Sequence, residues 1–258
     1  MRKENVFIET DGDWGKIIDS STYVQKIDPI EITLGKSIRD YILGTDDSKN
    51  LEKINVVDGN KKFSSANGVL YVKDGKEVKL VPPAKTGSFV IPSGVKSIGP
   101  AAIASVKKID SVQFNKELEI IKDSAFFHSS FIKRVDLSKT NVHTIEKSAF
   151  IFSPVEEVVF PSTLKLIGDG AFAGTNIKKI LIPRNTEKLG SGSFGNCKQL
   201  ESVTLESAST KIGRDTFGNC PLLREVITPC EKLTKKILLS AHIISLQNSG
   251  KLETGEQF

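Results

Sequence analysis

The chain has 258 residues, enough for one solenoid domain without a second globular core, and its 38% hydrophobic and 26% charged content suits a soluble folded protein. The 36 basic and 31 acidic residues leave a net charge of only +5 with the signs interleaved, which argues for a solvated face rather than a nucleic-acid groove. No apolar run approaches the ~20 residues of a membrane-spanning helix, and no signal peptide precedes Val6-Phe7-Ile8, so a cytoplasmic chain or the mature part of an exported one is expected.

Residues 1–58 are read as an N-terminal cap and a degenerate repeat. Residues 5–9 alternate like a strand, and Trp14 and Tyr23 follow among short β-like runs without a clear register. A solenoid end needs such a cap, because otherwise it exposes apolar core and sheet edge. From Ile30 onwards a degraded frame is visible: Ile32 and Leu34 as a strand, Ile38 and Ile42 on the coil side, then Leu51, Ile54 and Val56. Gly35-Lys36-Ser37 lacks the upstream glycine of a phosphate-binding loop. Residues 59–85 break the period with two turn signals, Asn67-Gly68 and Asp74-Gly75. The second lies between alternating runs and predicts an inserted β-hairpin, which Pro82-Pro83 ends.

Residues 86–230 repeat. Ile103, Phe126, Phe150, Phe172, Phe194 and Phe217 are equivalent anchors, at steps of 23, 24, 22, 22 and 23 residues, and a period in this range means a solenoid. Five residues before each anchor stands an aliphatic: Ile98, Ile121, Ile145, Ile167, Leu189 and Ile212. Further upstream come pairs two residues apart, such as Val158 with Phe160 and Ile180 with Ile182, which share one face of a short strand. The residues between them point outwards and form two columns. One is Ser111, Arg134, Glu157, Lys179, Ser202 and Glu225; the other is Gln113, Asp136, Val159, Leu181, Thr204 and Ile227. Cys197 and Cys220 fall three places after their anchors, where other copies carry Val106, Ser129, Ser153 and Thr175, which marks a slot for a small buried side chain. Residues 231–258 close the chain as a capping helix and tail, with Leu233, Ile237, Leu238, Ala241 and Ile244 at helical spacing, a stop at Gly250 and a frayed end.

The frame L-x-x-V-x-[LFI]-P…V-x-x-I-G-x-x-A-F-x-x-C resembles the BspA-like leucine-rich repeats, common in bacterial surface proteins and some protozoa. The best copies are residues 177–194 and 200–217; the match is good over 86–230 and looser over 32–85. The stretch from Phe63 to Lys76 is similar to an insertion common in that family. The resemblance implies a mainly β fold with short α/3-10 turns: a right-handed leucine-rich-repeat solenoid of ~22–24-residue repeats, with an inserted β-hairpin and a C-terminal capping helix. It also implies a cell-surface or secreted adhesion protein that holds a protein partner, such as a host extracellular-matrix protein. An intracellular interaction scaffold of the same fold is the alternative.

Chemistry beyond binding finds little support. Gly190-Ser-Gly192-Ser-Phe-Gly195 spells a dinucleotide fingerprint, but Phe194 is a repeat anchor and the βαβ context is missing. His128 and His143 fall in loops of neighbouring copies and could be surface neighbours; His242 stands alone. No catalytic residue, metal ligand or cofactor is assigned. The candidate protein-binding face comprises Arg134, Asp136, Glu157, Val159, Lys179, Leu181 and Thr204, with Val159 and Leu181 as an exposed apolar centre inside a charged rim.

Overall fold

The computed structural model describes residues 5–16, 18–19, 24–25, 29–40 and 48–248. Tyr23, Ile42, Gly250 with the tail, and the side chains of Trp14, His242 and Ile244 lie outside the described residues.

Spacing by two produces strands, and each coil of the solenoid has two. The longer one carries the outward columns. Gly87–Val90 pairs with Ile109–Gln113, Arg134–Asp136 with Glu157–Val159, and Lys179–Ile182 with Ser202–Leu205 and then Glu225–Ile227, all in parallel. The second strand has only two residues, and its second residue is the aliphatic five places before the anchor. Ser97–Ile98, Ile120–Ile121, Thr144–Ile145, Leu166–Ile167, Lys188–Leu189 and Lys211–Ile212 stack in parallel as part of one nine-stranded sheet.

The anchors fill the space between these sheets. Phe126, Phe150, Phe172, Phe194 and Phe217 are all fully buried. Their rings form a face-to-face column, with successive centroids 4.7, 4.9, 5.4 and 5.6 Å apart and planes within 9° of parallel. Phe114 and Phe160 meet this column edge-on, at 6.1 and 5.7 Å. Fully burying each ring stabilises by roughly 1.5–3 kcal/mol, with about 0.5–1.5 kcal/mol more for each aromatic pair.

A third side, the ridge, carries the anchors. There the N–H groups of the anchor and of the residues two before and two after it donate to carbonyls of the next coil. Phe150 donates to Ala171 at 2.7 Å, Ser148 to Asp169 at 2.9 Å and Phe152 to Ala173 at 2.9 Å. The same trio recurs from Ala101, Ile103 and Ser105 through to Gly192, Phe194 and Asn196. The residues flanking each anchor by two have left-handed backbone in every copy, from Ala101 (φ +51°) and Ser105 (φ +55°) to Asp215 (φ +50°) and Asn219 (φ +57°). That twist turns alternate N–H groups along the solenoid axis, so the ridge bonds between coils like a sheet while curling like a turn.

The slot three places after the anchor is buried, as its residue types predict, and it has a task. Ser129 donates its hydroxyl to the Ile103 carbonyl and Ser153 to the Phe126 carbonyl. Cys197 and Cys220 do the same to Phe172 and Phe194, at 3.2 Å each. A buried carbonyl needs a partner, and a small donor side chain supplies it. All three cysteines are free thiols. The hydrogen bond with the neighbouring Cys197 thiol, and then burial, hold Cys220 protonated, well above the usual thiol range.

The ends differ from the expected scheme in detail. Asn5–Ile8 enters the stack as a parallel rung on Glu31–Leu34, which in turn pairs with Lys53–Val56. The register was invisible in the sequence because Asn5 pairs Glu31 and Glu31 pairs Lys53, offsets of 26 and then 22 residues. Both turn signals in the insertion make hairpins, not the second alone. Phe63–Ala66 and Val69–Val72 join through Asn67 (φ +51°) and Gly68 (φ +75°), the left-handed pair of a type I′ turn. Val69–Val72 then pairs antiparallel with Glu77–Leu80, which starts the parallel part of the nine-stranded sheet. The helix Glu231–Asn248 closes the other end, burying Ile237 and Ala241 and half-burying Leu233 and Leu238 against the core.

Candidate binding face

The long strands hold the expected face because their alternate residues are locked inwards. Val135, Ile180 and Val203 are buried, so Arg134, Asp136, Lys179, Leu181 and Thr204 project the other way. Register places Arg134 beside Glu157 and Asp136 beside Val159. It also places Lys179 beside Ser202 and Leu181 beside Thr204, with Glu225 and Ile227 next in the two columns.

The seven residues therefore fall into two groups. No registered backbone pair joins Val159 to Leu181: the sheet is interrupted there, and the Val155 carbonyl instead accepts from the Asn176 N–H at 2.9 Å. The first group is ionic. Arg134 bridges Glu157 and Asp136, the latter at 3.2 Å. The Ser138 hydroxyl and N–H, followed by Arg134, hold the Asp136 carboxyl below its ordinary range. The second group is apolar in its centre. Leu181 is 51% exposed and Ile227 53%, with half-buried Thr204 between them in register.

Two outward positions are corrected. Ser202 is buried, because it is a short side chain between the long Lys179 and Glu225 in the same column. Val159 is only half exposed. Beyond Val159 and Leu181, exposed apolar surface continues from Leu181 across half-buried Thr204 to Ile227.

The remaining sequence candidates separate. Gly190 serves rung contact: a Cβ there would stand 2.5 Å from the backbone of Gly168 and Asp169 in the preceding coil. His128 lies on the ridge between Phe127 and Phe152, whereas His143 is half-buried beside the Thr144 hydroxyl at 2.9 Å; they share no partner among the described residues. Among the described residues no group of three or more His, Cys, Asp or Glu is placed to hold a metal ion. Of the ridge aromatics only His128 was singled out from sequence; Phe127 and Phe152 were not. Their only signal there is Phe152, in a place where other copies carry Ser105, His128, Gly174, Asn196 and Asn219.

Six copies of the BspA type leucine-rich repeat region match residues 84–200 and 134–242, together more than half of the chain. The chain belongs to the BspA-type leucine-rich repeat family. Solved structures of similar proteins include a leucine-rich repeat protein from Bacteroides ovatus, 24% identical over 77% of this chain and 55% of that one, with a TM-score of 0.56. Another is a leucine rich cell surface protein from Faecalibacterium prausnitzii, 21% identical over 92% of this chain and 62% of that one, also with a TM-score of 0.56. A leucine-rich repeat protein from Eubacterium ventriosum is 24% identical over 79% of this chain and 50% of that one, with a TM-score of 0.49. The first two share the solenoid fold. The chain spans about half the length of the Eubacterium and Bacteroides proteins. No curated protein matches it. Leucine-rich-repeat proteins of this kind generally bind proteins and are typically non-enzymatic. Among the described residues, no helix is long and apolar enough to cross a membrane.

Proposed function

We propose that this BspA-type solenoid is a non-enzymatic adhesion protein, displayed outside the cell, that captures a host or extracellular-matrix protein on the face formed by its long strands. The observation that carries the reading is the registered column Leu181–Thr204–Ile227, apolar at both ends and solvent-facing. Lys179 and Glu225 beside it, and Arg134, Asp136 and Glu157 further along, form the charged rim that a protein interface uses. Stacked coils keep such a face rigid, which lowers the ordering cost of binding. The surface location draws support from the Faecalibacterium cell surface protein of the same fold. An intracellular scaffold is the second reading, favoured by the three free thiols, since reduced cysteines persist in reducing compartments. Fractionation of the source cells separates the two locations.

The binding reading is tested with immobilised fibronectin, fibrinogen and other matrix proteins. Wild-type protein should be retained by at least one. The double variant Leu181→Lys, Ile227→Lys, shown to be folded by circular dichroism, should be released. Undiminished capture by the folded variant, or no capture by the wild type, sinks the proposal.

A further inference from the structure

Two residues after each anchor the ridge backbone is left-handed, and the occupants are Ser105, His128, Phe152, Gly174, Asn196 and Asn219. Glycine and asparagine take that conformation readily, but for a bulky aromatic it is strained. Phe152 adopts it at φ +55° while leaving its ring 53% exposed. The ring is nevertheless fixed. The imidazole of His128 lies 5.4 Å from it on one side. On the other it lies over Gly174, where a Cβ would stand 2.6 Å from the ring. Phe127 extends the row, edge-on to His128 at 4.4 Å. Strain and exposure both work against this residue as a stabilising element, yet its ring has a neighbour on each side, His128 and Gly174.

Beside the row is a shallow cleft of about 290 Å³ lined by Ser105, Lys107, Phe127 and His128. Its side chains offer a hydroxyl, an ammonium and an imidazole, and no carboxylate lines it. Lys107 is exposed and forms no ion pair among the described residues. The ridge positions further along, Asn196 and Asn219, are polar and hydrogen-bonded to each other at 2.5 Å. A lone fixed aromatic row between polar neighbours lacks the broad apolar centre of a protein interface. It matches a small ring-shaped ligand that has one apolar face and hydroxyls at its edge.

We propose that Phe127, His128 and Phe152, with Ser105 and Lys107, form a subsite for an acidic sugar, a pyranose bearing a carboxylate. The apolar face of the sugar ring rests on Phe127 in the cleft, and its rim reaches the inclined rings of His128 and Phe152. Its carboxylate pairs with the Lys107 ammonium, and its hydroxyls bond to Ser105 and His128. Donors dominate the lining, so an acidic sugar is favoured over a neutral one. This subsite is on the ridge, separate from the long-strand face, and it stands or falls independently of that reading.

The test is saturation-transfer NMR, with titration, of wild-type protein against free N-acetylneuraminic acid and glucuronic acid, with glucose as the neutral control. At least one acidic sugar should bind, about tenfold more tightly than glucose. Phe152→Gly removes the ring and relieves the backbone at once. It should keep or raise the melting temperature while weakening sugar binding about tenfold. Lys107→Gln should reduce the acidic sugar to the level of glucose, and Leu181→Lys should change nothing. Absence of transfer to both acids, equal binding of glucose, or full binding by folded Phe152→Gly would each overturn the proposal.

Discussion

Truncating Phe172 to Ala removes the middle of the ring column. Phe172 is fully buried, stacked at 4.9 Å on Phe150 and 5.4 Å on Phe194, with the edge of Phe160 at 5.7 Å. A buried Phe→Ala change costs about 3–5 kcal/mol through lost transfer and the cavity left behind. Rigid rungs on both sides leave little room for collapse, so the upper end, about 5 kcal/mol, applies here. Phe217→Ala is the control. Among the described residues Phe217 stacks on one ring only, Phe194 at 5.6 Å, and the C-terminal helix beyond it can settle inwards, so about 3 kcal/mol is expected. In a stack governed by nearest neighbours the two also differ in kind. Loss at Phe172 uncouples the halves and should broaden urea unfolding followed by circular dichroism, with a smaller m value. Loss at Phe217 should fray one end and leave the main transition steep. Equal costs, or a Phe172→Ala cost below about 1.5 kcal/mol, would mean that the rings are not the spine that couples the coils.

Two further outcomes follow from close approach and burial. Gly190→Ala would set a Cβ 2.5 Å from the previous coil's backbone and should cost about 3 kcal/mol, the top of the overpacking range. Gly192→Ala, at φ +59° with nothing within 4 Å, should cost only about 1 kcal/mol; urea midpoints that rank the two the other way would count against rung contact at Gly190. Burial pushes the Tyr71 hydroxyl up to about 12, against about 10 in an unfolded chain. The folded state therefore gains stability from neutral Tyr71 that is whole below pH about 10 and lost as pH climbs from there to about 12. Alkaline titration of phenolate absorbance should show a late step that Tyr71→Phe removes, and a late step that survives the substitution refutes the assignment.

Most of the architecture was legible because it is written in buried side chains. The anchors, the aliphatics five places earlier and the strand pairs each recur at fixed offsets, and each proved to be a column in the core. Backbone handedness was less legible. The left-handed places two before and two after each anchor are held by Ala101, Ser124, Asp215 and Phe152 as well as by glycine and asparagine, so residue type does not announce them. The face was readable as a set of outward positions but not as a surface. Shading of Ser202 by its long neighbours depends on side-chain length across three coils, and the interruption between Val159 and Leu181 depends on where one N–H finds its acceptor. The fixed aromatic at Phe152 combines a rare backbone with a glycine one coil later, a conjunction visible only once the coils are stacked.

The ridge bonds also give the molecule a direction. In each coil from Ala101 to Asn196 the three bridging amide protons aim towards the later coil and the carbonyls that receive them face back. Peptide dipoles aligned in this way sum, as they do in a helix, leaving partial positive charge where unsatisfied N–H groups emerge. That pole is at Asp215, Phe217 and Asn219, where a helix rather than another coil follows among the described residues. The sense is opposite to that of an α-helix running the same way, so the ridge N–H groups place their partial positive charge at the C-terminal edge, where Asp215 supplies a carboxylate. A coil joined there must arrive with its carbonyls foremost, which makes the two edges of the array chemically unlike and lets units add head to tail but not head to head.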